Sequence, residues 1–277
     1  MVLQAIAASS NGRLVALASR SPERARAMLA PYPTAHAVDS YEALLDRRDV
    51  DAVYIPLTNN LHLEWTLRAL AAGKHVLCEK PLAMNAAQAE EMASAAARAD
   101  RLLMEGFMYR FDPRAREFVD RVADPLHVQA SFGFRLQGEN FRFDAALGGG
   151  ALFDVGCYTV SMACWILGEP EQVLAWARMR NGIDMTAAAL LIFDKGRTAS
   201  VWASFESPEA QEVSVVSRDG VHRLERPFTS DGSGLSHRLM IESFADSLLQ
   251  NRPAEIPLSE SIANMRTLDR IRAAFSS

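Results

Sequence analysis

The stretch His75-Val76-Leu77-Cys78-Glu79-Lys80-Pro81 decides the fold of the first half of the chain. Its apolar start is typical of a buried parallel strand, and Pro81 ends that strand with a fixed backbone φ angle. Ligands of open α/β sheets bind at the carboxyl ends of the strands, so we expect Lys80 to face a functional site. The alternative is a surface Glu-Lys pair after an ordinary strand, and the stretch by itself does not separate the two.

Short strands and helices alternate around this stretch. The predicted strands lie at 13–18, 35–38, 51–55, 75–78 and 101–105, and the predicted helices at 22–29, 41–45, 62–72 and 86–99. This alternation predicts βαβ units and a parallel sheet, which we assign to a first domain at residues 1–106. The pattern opens with the end of a helix at 2–10.

The rest of the chain, residues 107–277, follows a different pattern. Longer strands are predicted at 127–135, 172–180, 185–193, 197–205 and 212–217, and helices at 113–122, 151–167, 237–249 and 259–275. Turn signals such as Asn181-Gly182 separate the strands and predict an antiparallel meander. We therefore expect a second domain of a different class.

Composition excludes several classes of protein. The 277 residues carry a net charge of −5 with no basic block, so nucleic acid is not an expected partner. Cys78, Cys157 and Cys164 lie in apolar segments without a CxxC pair, which favours reduced thiols and a cytoplasmic location. The start lacks the charged region of a signal peptide, no apolar run is expected to span a membrane, and no His or Cys spacing predicts a metal site.

The parallel half lacks the glycine-rich turn that usually opens a dinucleotide-binding domain and holds the pyrophosphate. No GxGxxG occurs, and Gly148-Gly149-Gly150 precedes a helix of the second half. Either the protein binds no dinucleotide, or residues 2–10 are the remnant of a first helix whose preceding strand this chain lacks. We favour the second reading, because residues 13–105 otherwise follow the expected order. The strand at 13–18 should then lack its neighbour toward 51–55.

Three motifs resemble the Gfo/Idh/MocA family of oxidoreductases. They are GKHVLCEKP at 73–81, MYRF at 108–111 followed by Pro113, and GGGALFDVGCY at 148–158. The third is similar to the subgroup of glucose–fructose oxidoreductase, dimeric dihydrodiol dehydrogenase and NADP-dependent xylose dehydrogenase. The resemblance implies an α/β fold: a Rossmann-type parallel sheet, here lacking its first strand, then an α/β domain with a large open, mainly antiparallel sheet. That sheet would form a homodimer or higher homo-oligomer.

The resemblance also implies hydride transfer between NADP(H) and a sugar-like or cyclic diol or carbonyl substrate, with Lys80, Asp154 and Tyr158 as catalytic residues. Tyr158 would exchange the substrate proton, because a nearby ammonium lowers the pKa of a phenol from about 10. Asp154 lies one helical turn earlier and would bind the substrate or orient Lys80. An isolated tyrosine is more often a core aromatic, and the DVGCY context favours the catalytic role.

Cofactor contacts are predicted where strands end. Ser19, Arg20 and Ser21 follow the strand at 13–18, and Arg20 supported by Arg24 suits the 2′-phosphate of NADP rather than the free hydroxyl of NAD. A helix-capping turn with an incidental arginine is the alternative. The other predicted contacts are Leu57, Asn59, His62, Glu79, Lys80 and Arg110. A capping role for His62 and a bracing role for Arg110 at the domain junction stay open.

Two other functions remain open from the sequence. A non-catalytic ligand-binding or subunit member of the fold is favoured by the absent glycine-rich turn, whereas the complete set of Lys80, Asp154 and Tyr158 argues against it. The other open possibility is a truncated product that does not bind the cofactor. We expect weak NADP binding unless roughly 15–25 further residues, enough for the first strand and its glycine-rich turn, precede the chain. The substrate is not readable, although polar groups at 134–142 and Arg178 are candidates for its pocket.

Overall fold

The computed structural model describes residues 2–229 and 232–275. The helices are α1 Val2–Ala8, α2 Pro22–Leu29, α3 Tyr41–Leu45, α4 His62–Ala71, α5 Ala86–Ala99, α6 Pro113–Arg121, α7 Cys157–Leu167, α8 Leu235–Leu249 and α9 Leu258–Ala274. The strands are β1 Ala16–Ala18, β2 His36–Val38, β3 Ala52–Ile55, β4 His75–Cys78, β5 Leu103–Glu105, β6 Pro125–Arg135, β7 Gln172–Arg180, β8 Ile183–Ile192, β9 Thr198–Ser204, β10 Glu206–Ser217 and β11 Gly220–Glu225.

The first half contains the predicted parallel strands, in two separate groups. Strand β1 pairs with β2, and β3, β4 and β5 form a second sheet in that order, all in parallel. Among the residues that the structure describes, no strand pairs with β1 on the side of β3, as predicted. Val76, Leu77 and Cys78 of β4 are buried because helices cover the sheet, so their apolar run encodes a strand.

The second half contains one large mixed sheet with the strand order β11-β10-β6-β9-β8-β7. The prediction of an antiparallel meander is wrong at its centre, where β6 and β9 run parallel. The long connection that carries α7 separates β6 from β7, and the β7-β8-β9 meander then returns beside β6. Strand β11 was also missed, although Asp219-Gly220 is a hairpin turn signal.

The predicted helix at 151–167 has two parts. Leu152–Gly156 forms a π-helical segment, and the α-helix α7 begins at Cys157. Short π segments inside helices occur frequently at functional sites. The change matters here because Asp154 lies in the π segment and Tyr158 in α7, so both residues flank the point where the helix changes its winding.

One stretch of the described residues, Ala145–Leu167, is long and apolar enough to cross a membrane, which the sequence analysis did not expect. However, 72% of its most apolar window is buried inside the fold. Helix α7 at its end packs against the mixed sheet and α9, where Met162, Met265 and Leu268 are fully buried. We therefore assign the stretch to the core of the second half.

Candidate active site

Lys80 lies directly after β4 and reaches into the second half of the chain. Its Nζ atom donates a hydrogen bond to the backbone carbonyl of Asp154 at 2.8 Å and lies 3.3 Å from Asp154 Oδ1. Burial lowers the pKa of Lys80, but its interactions with Tyr158 and with the Asp154 carboxylate raise it more, so the net shift is upward. The ammonium is therefore charged and fixed in place.

Asp154 forms ion pairs with two cations. Its Oδ1 faces Lys80, and its Oδ2 lies 2.7 Å from Nε of Arg142. Burial raises the pKa of Asp154, while Lys80 and Arg142 lower it to below its usual range. The carboxylate therefore stays ionised, which completes a Lys80–Asp154–Arg142 network. Arg142 lies in the segment that the sequence assigned to the substrate pocket, but its pairing with Asp154 was not predicted.

Tyr158 is the third member of this cluster. Its ring centroid lies 4.9 Å from Nζ of Lys80. Aromatic rings surround it, with centroid distances of 5.4 Å to Phe107 and 5.7 Å to each of Tyr109, Phe132 and Phe228. These contacts fix the plane of the phenol. The structure thus brings together the three residues that the sequence singled out for catalysis.

The expected effect of Lys80 on Tyr158 needs a correction. Burial raises the pKa of Tyr158, and the Lys80 ammonium lowers it by less, so the net shift is upward. The aromatic neighbours remove water from the phenolate and disfavour its charge. At neutral pH Tyr158 is consequently a neutral phenol, suited to give a proton rather than to take one.

Three glycines shape the loop before the π segment. Gly148 and Gly150 have φ angles of +80° and +113°, which side-chain-bearing residues rarely adopt. A Cβ atom on Gly150 would lie 2.1 Å from Oδ1 of Asp184. The glycines therefore allow the loop to turn tightly and Asp184 to approach the backbone of the helix that carries Asp154 and Tyr158.

Asp184 of β8 holds the start of the π segment. Its Oδ2 accepts a hydrogen bond from the Leu152 backbone N–H at 2.6 Å, and its side chain is buried. Burial raises the pKa of Asp184 to about 6, although the hydrogen bond from Leu152 opposes the shift. No sequence pattern indicates this residue beyond the three glycines that make room for it.

We predict that Asp184→Asn changes how stability depends on pH. A carboxyl whose folded pKa is raised stabilises the fold at low pH and loses that contribution as the pH rises through its folded pKa. The difference between about 6 in the fold and 3.8 for the ordinary side chain corresponds to about 3 kcal/mol. The stability of the wild type relative to Asp184→Asn should fall by up to that amount between pH 4 and 7, measured by urea unfolding. If the difference in stability between the two proteins stayed constant over this pH range, the raised pKa of the buried Asp184 carboxyl would be contradicted.

The loop between β1 and α2 places its polar residues at the surface. Ser21 caps α2 by accepting a hydrogen bond from the Arg24 N–H at 3.2 Å, and its own N–H donates to Ser19 Oγ at 3.3 Å. Arg20 and Arg24 are exposed, and neither guanidinium forms a salt bridge within the part of the chain that the structure describes. The turn therefore caps α2 and at the same time leaves the guanidinium groups of Arg20 and Arg24 available to a ligand.

The other predicted cofactor contacts are engaged within the protein. Asn59 donates to the Gly148 carbonyl at 2.8 Å, and the ring nitrogens of His62 lie 2.9 Å from the Pro81 carbonyl and 3.0 Å from that of Leu57. Burial lowers the pKa of His62, which favours its neutral form. Asn59 thus links the two halves, and His62 joins the strand ends around Leu57 and Pro81.

Glu79 and Arg110, two further predicted cofactor contacts, also bind other side chains of the protein. Glu79 accepts a short hydrogen bond from the Tyr54 hydroxyl. Arg110 pairs with Glu260 at 2.9 Å and stacks over Trp165 at 3.9 Å, both in the second half of the chain, so its role at the domain junction or the cofactor stays a prediction. Within residues 2–229 and 232–275 no group of three His, Cys, Asp or Glu side chains is arranged to hold a metal ion.

A parallel α/β half followed by a mixed-sheet half, with a Lys–Asp–Tyr cluster between them, is the architecture of a two-domain nucleotide-dependent oxidoreductase. Residues 1–107 match the family model described as an oxidoreductase family with an NAD-binding Rossmann fold, and residues 114–222 match the GFO/IDH/MocA C-terminal domain. The chain belongs to the Gfo/Idh/MocA family, which confirms the family and the fold class predicted from its motifs.

Relatives extend over nearly the whole chain. D-xylose 1-dehydrogenase (NADP(+)) 2 from Haloferax volcanii is 36% identical over 98% of this chain and 91% of its own length. Trans-1,2-dihydrobenzene-1,2-diol dehydrogenase from Xenopus tropicalis is 32% identical over 76% of this chain and 67% of its own length. A tyrosine-to-phenylalanine variant of a 3-ketoreductase from Actinomadura kijaniata, bound to TDP-benzene and NADP, superimposes with a TM-score of 0.92. It is 29% identical over 99% of this chain and 93% of its own.

Proposed function

We propose that the protein is an NADP-dependent dehydrogenase or reductase acting on a hydroxyl or carbonyl group of a sugar-like or cyclic diol substrate. The convergence of Lys80, Asp154 and Tyr158 carries this proposal. A proton donor beside a fixed ammonium is the arrangement that carbonyl reduction requires. The xylose dehydrogenase, the dihydrodiol dehydrogenase and the ketoreductase, whose names state such reactions, support it.

NADP would supply or accept the hydride through its nicotinamide ring. The neutral hydroxyl of Tyr158 would protonate the substrate oxygen as the carbonyl is reduced. In the oxidation direction the same oxygen would receive the hydroxyl proton, which becomes easier as the pH rises. The Lys80 ammonium would stabilise the negative charge on the substrate oxygen, and Asp154 would hold that ammonium in position.

The exposed cations of the β1–α2 loop fit the 2′-phosphate that distinguishes NADP from NAD. We predict that Arg20→Ala raises the Km for NADPH by roughly 10- to 100-fold, because a charge-assisted hydrogen bond contributes about 1.5–3 kcal/mol. The Km for NADH should stay unchanged. Arg26→Ala is the matched control, since Arg26 lies close by on the exposed side of α2 but pairs with Glu23. Equal effects of both substitutions on NADPH would contradict the assignment.

A substrate screen tests the proposed reaction. The protein is first titrated with NADPH by fluorescence, and turnover is then followed at 340 nm with aldoses, keto sugars and trans-dihydrodiols in both directions. We expect NADP-dependent turnover with at least one of these classes. A protein that binds NADPH but turns over none of them would instead favour a ligand-binding or subunit role.

The outer face of the mixed sheet is the proposed surface for a homodimer or higher homo-oligomer. It exposes Leu174, Trp176 and Leu190, with 60% of Trp176 accessible, and apolar patches of this kind mark interaction sites.

The free thiols of Cys78, Cys157 and Cys164 fit a reducing, cytoplasmic location.

We predict that Trp176→Arg reduces the oligomer to the 30.5 kDa monomer, measured by light scattering after size exclusion. A buried arginine without a partner at the centre of an interface opposes association. Leu249→Arg is the control, because Leu249 is as exposed as Trp176 but lies at the end of α8, away from this face. A Trp176→Arg protein with the wild-type mass would exclude this face as the interface.

A further inference from the structure

A second cavity lies at the junction of the two halves, apart from the catalytic cluster. It has a volume of about 160 Å³, and neither Lys80 nor Tyr158 lines it. Its walls include Glu105 at the end of β5, Trp165 of α7 and Asn264 of α9, and Gly168 and Ser259 lie at the exposed end. We name it the junction cavity.

Several buried polar atoms at the junction cavity have no hydrogen-bond partner among the described residues. They are both amide atoms of Asn264, whereas Oε2 of Glu105 and Oγ of Ser261 have no partner other than each other, and all three residues are at most 2% exposed. A buried polar group without a partner costs about 1–3 kcal/mol. The two amide atoms of Asn264, one a donor and one an acceptor, therefore indicate an occupant that both donates and accepts hydrogen bonds.

The charges of the walls indicate a neutral occupant. Arg110 is balanced by Glu260 at 2.9 Å, and Glu169, which also lines the cavity, pairs with Arg266 at 3.8 Å, so neither pair leaves a net charge. Burial raises the pKa of Glu105 to about 7, with Ser261 and the Leu82 N–H opposing the shift, so its carboxyl is partly protonated at neutral pH. Neither a strong cation nor a strong anion would find a matching charge here.

The size of the junction cavity and its aromatic walls narrow the chemical class of the occupant further. A cavity of about 150 Å³ holds benzene, so this one accommodates a molecule as large as glycerol. Phe107 and Trp165 present apolar ring surfaces that suit the C–H groups of a polyol, while its hydroxyls match the amide, carboxyl and hydroxyl of the opposite wall. Phe107 also packs on Tyr158, so the two sites share a wall.

We propose that the junction cavity is a binding site for a small neutral polyol of about the size of glycerol, distinct from the substrate site. The proposal is independent of the reaction assigned to the catalytic cluster, because it rests on other residues. Hydroxyl groups would satisfy Asn264, Glu105 and Ser261, and the exposed end of the cavity would admit the ligand.

Saturation-transfer NMR with glycerol on the full chain tests this. We expect saturable binding in the millimolar range to the wild type and equally to the active-site variant Lys80→Met, because Lys80 does not line the cavity. Butan-1-ol, of similar size but with one hydroxyl, should bind at least about tenfold more weakly, since it leaves polar wall atoms unpaired.

Asn264→Leu should abolish glycerol binding while keeping or raising the melting temperature, because it replaces two unpaired polar atoms with an apolar side chain of similar size. Ser261→Ala, which removes a single hydroxyl, should weaken binding and serves as the second variant if Asn264→Leu does not fold. Binding that survives both substitutions, binding lost in Lys80→Met, or the absence of saturable binding to the wild type would each overturn the proposal.

Discussion

Tyr158→Phe should lower kcat for carbonyl reduction by about 10²–10⁴-fold, the usual contribution of a positioned general acid. The substitution removes only the hydroxyl, and the ring keeps its packing against Phe107, Phe132 and Phe228. Binding of NADPH and the melting temperature should therefore stay close to those of the wild type. Steady-state kinetics at saturating cofactor, together with thermal unfolding, provide the measurement.

Tyr109→Phe is the matched control for this prediction. Tyr109 belongs to the same aromatic cluster and is fully buried, but its hydroxyl bonds to Ser161 Oγ at 2.8 Å. Its loss should cost about 1 kcal/mol of stability and change kcat by only a few fold. If Tyr158→Phe retained wild-type kcat, the proton would have to come from another group.

Lys80→Met should lower kcat/Km by about 10²–10⁴-fold and also move the pH profile of the oxidation direction to higher pH. Burial raises the pKa of Tyr158, and the ammonium of Lys80 opposes that shift. Without the ammonium the phenol becomes harder to ionise, so oxidation requires a higher pH. Rates measured from pH 6 to 10 in both directions detect the two effects.

Two further variants separate charge from packing. Lys80→Arg keeps the positive charge and should recover part of the rate, although a guanidinium does not fit the position of an ammonium. Lys195→Met, in the exposed turn between β8 and β9, should leave the kinetics unchanged. A Lys80→Met protein with a lower rate but an unshifted pH profile would mean that Lys80 acts without affecting Tyr158.

Local sequence signals predicted those parts of the fold that depend on neighbouring residues. The apolar run of β4 ending at Lys80, and the glycines before Asp154 and Tyr158, each carry enough information within a few residues to indicate a strand end and a tight turn. The family motifs then linked the two segments. The structure places Lys80 Nζ within hydrogen-bond distance of Asp154, so the two segments meet in space as the family motifs imply.

Features that depend on contacts between distant segments were missed. The parallel pairing of β6 with β9 follows from the path of the whole chain, and no periodicity within either strand encodes it. Asp184 meets Gly150 only because β8 passes beneath the loop. The upward shift in the pKa of Tyr158 has the same origin, since four rings from three separate segments determine how much water reaches the phenol.

The central claim is that the Lys80–Asp154–Tyr158 cluster performs hydride transfer with NADPH. The most direct test uses NADPH that carries deuterium at both hydrogen positions of C4 of the nicotinamide, with the best carbonyl substrate from the screen and mass spectrometry of the product. We predict that the wild type transfers one deuterium to the product carbon and that Tyr158→Phe transfers almost none in the same time. Product without deuterium, or equal transfer by Tyr158→Phe, would contradict the account.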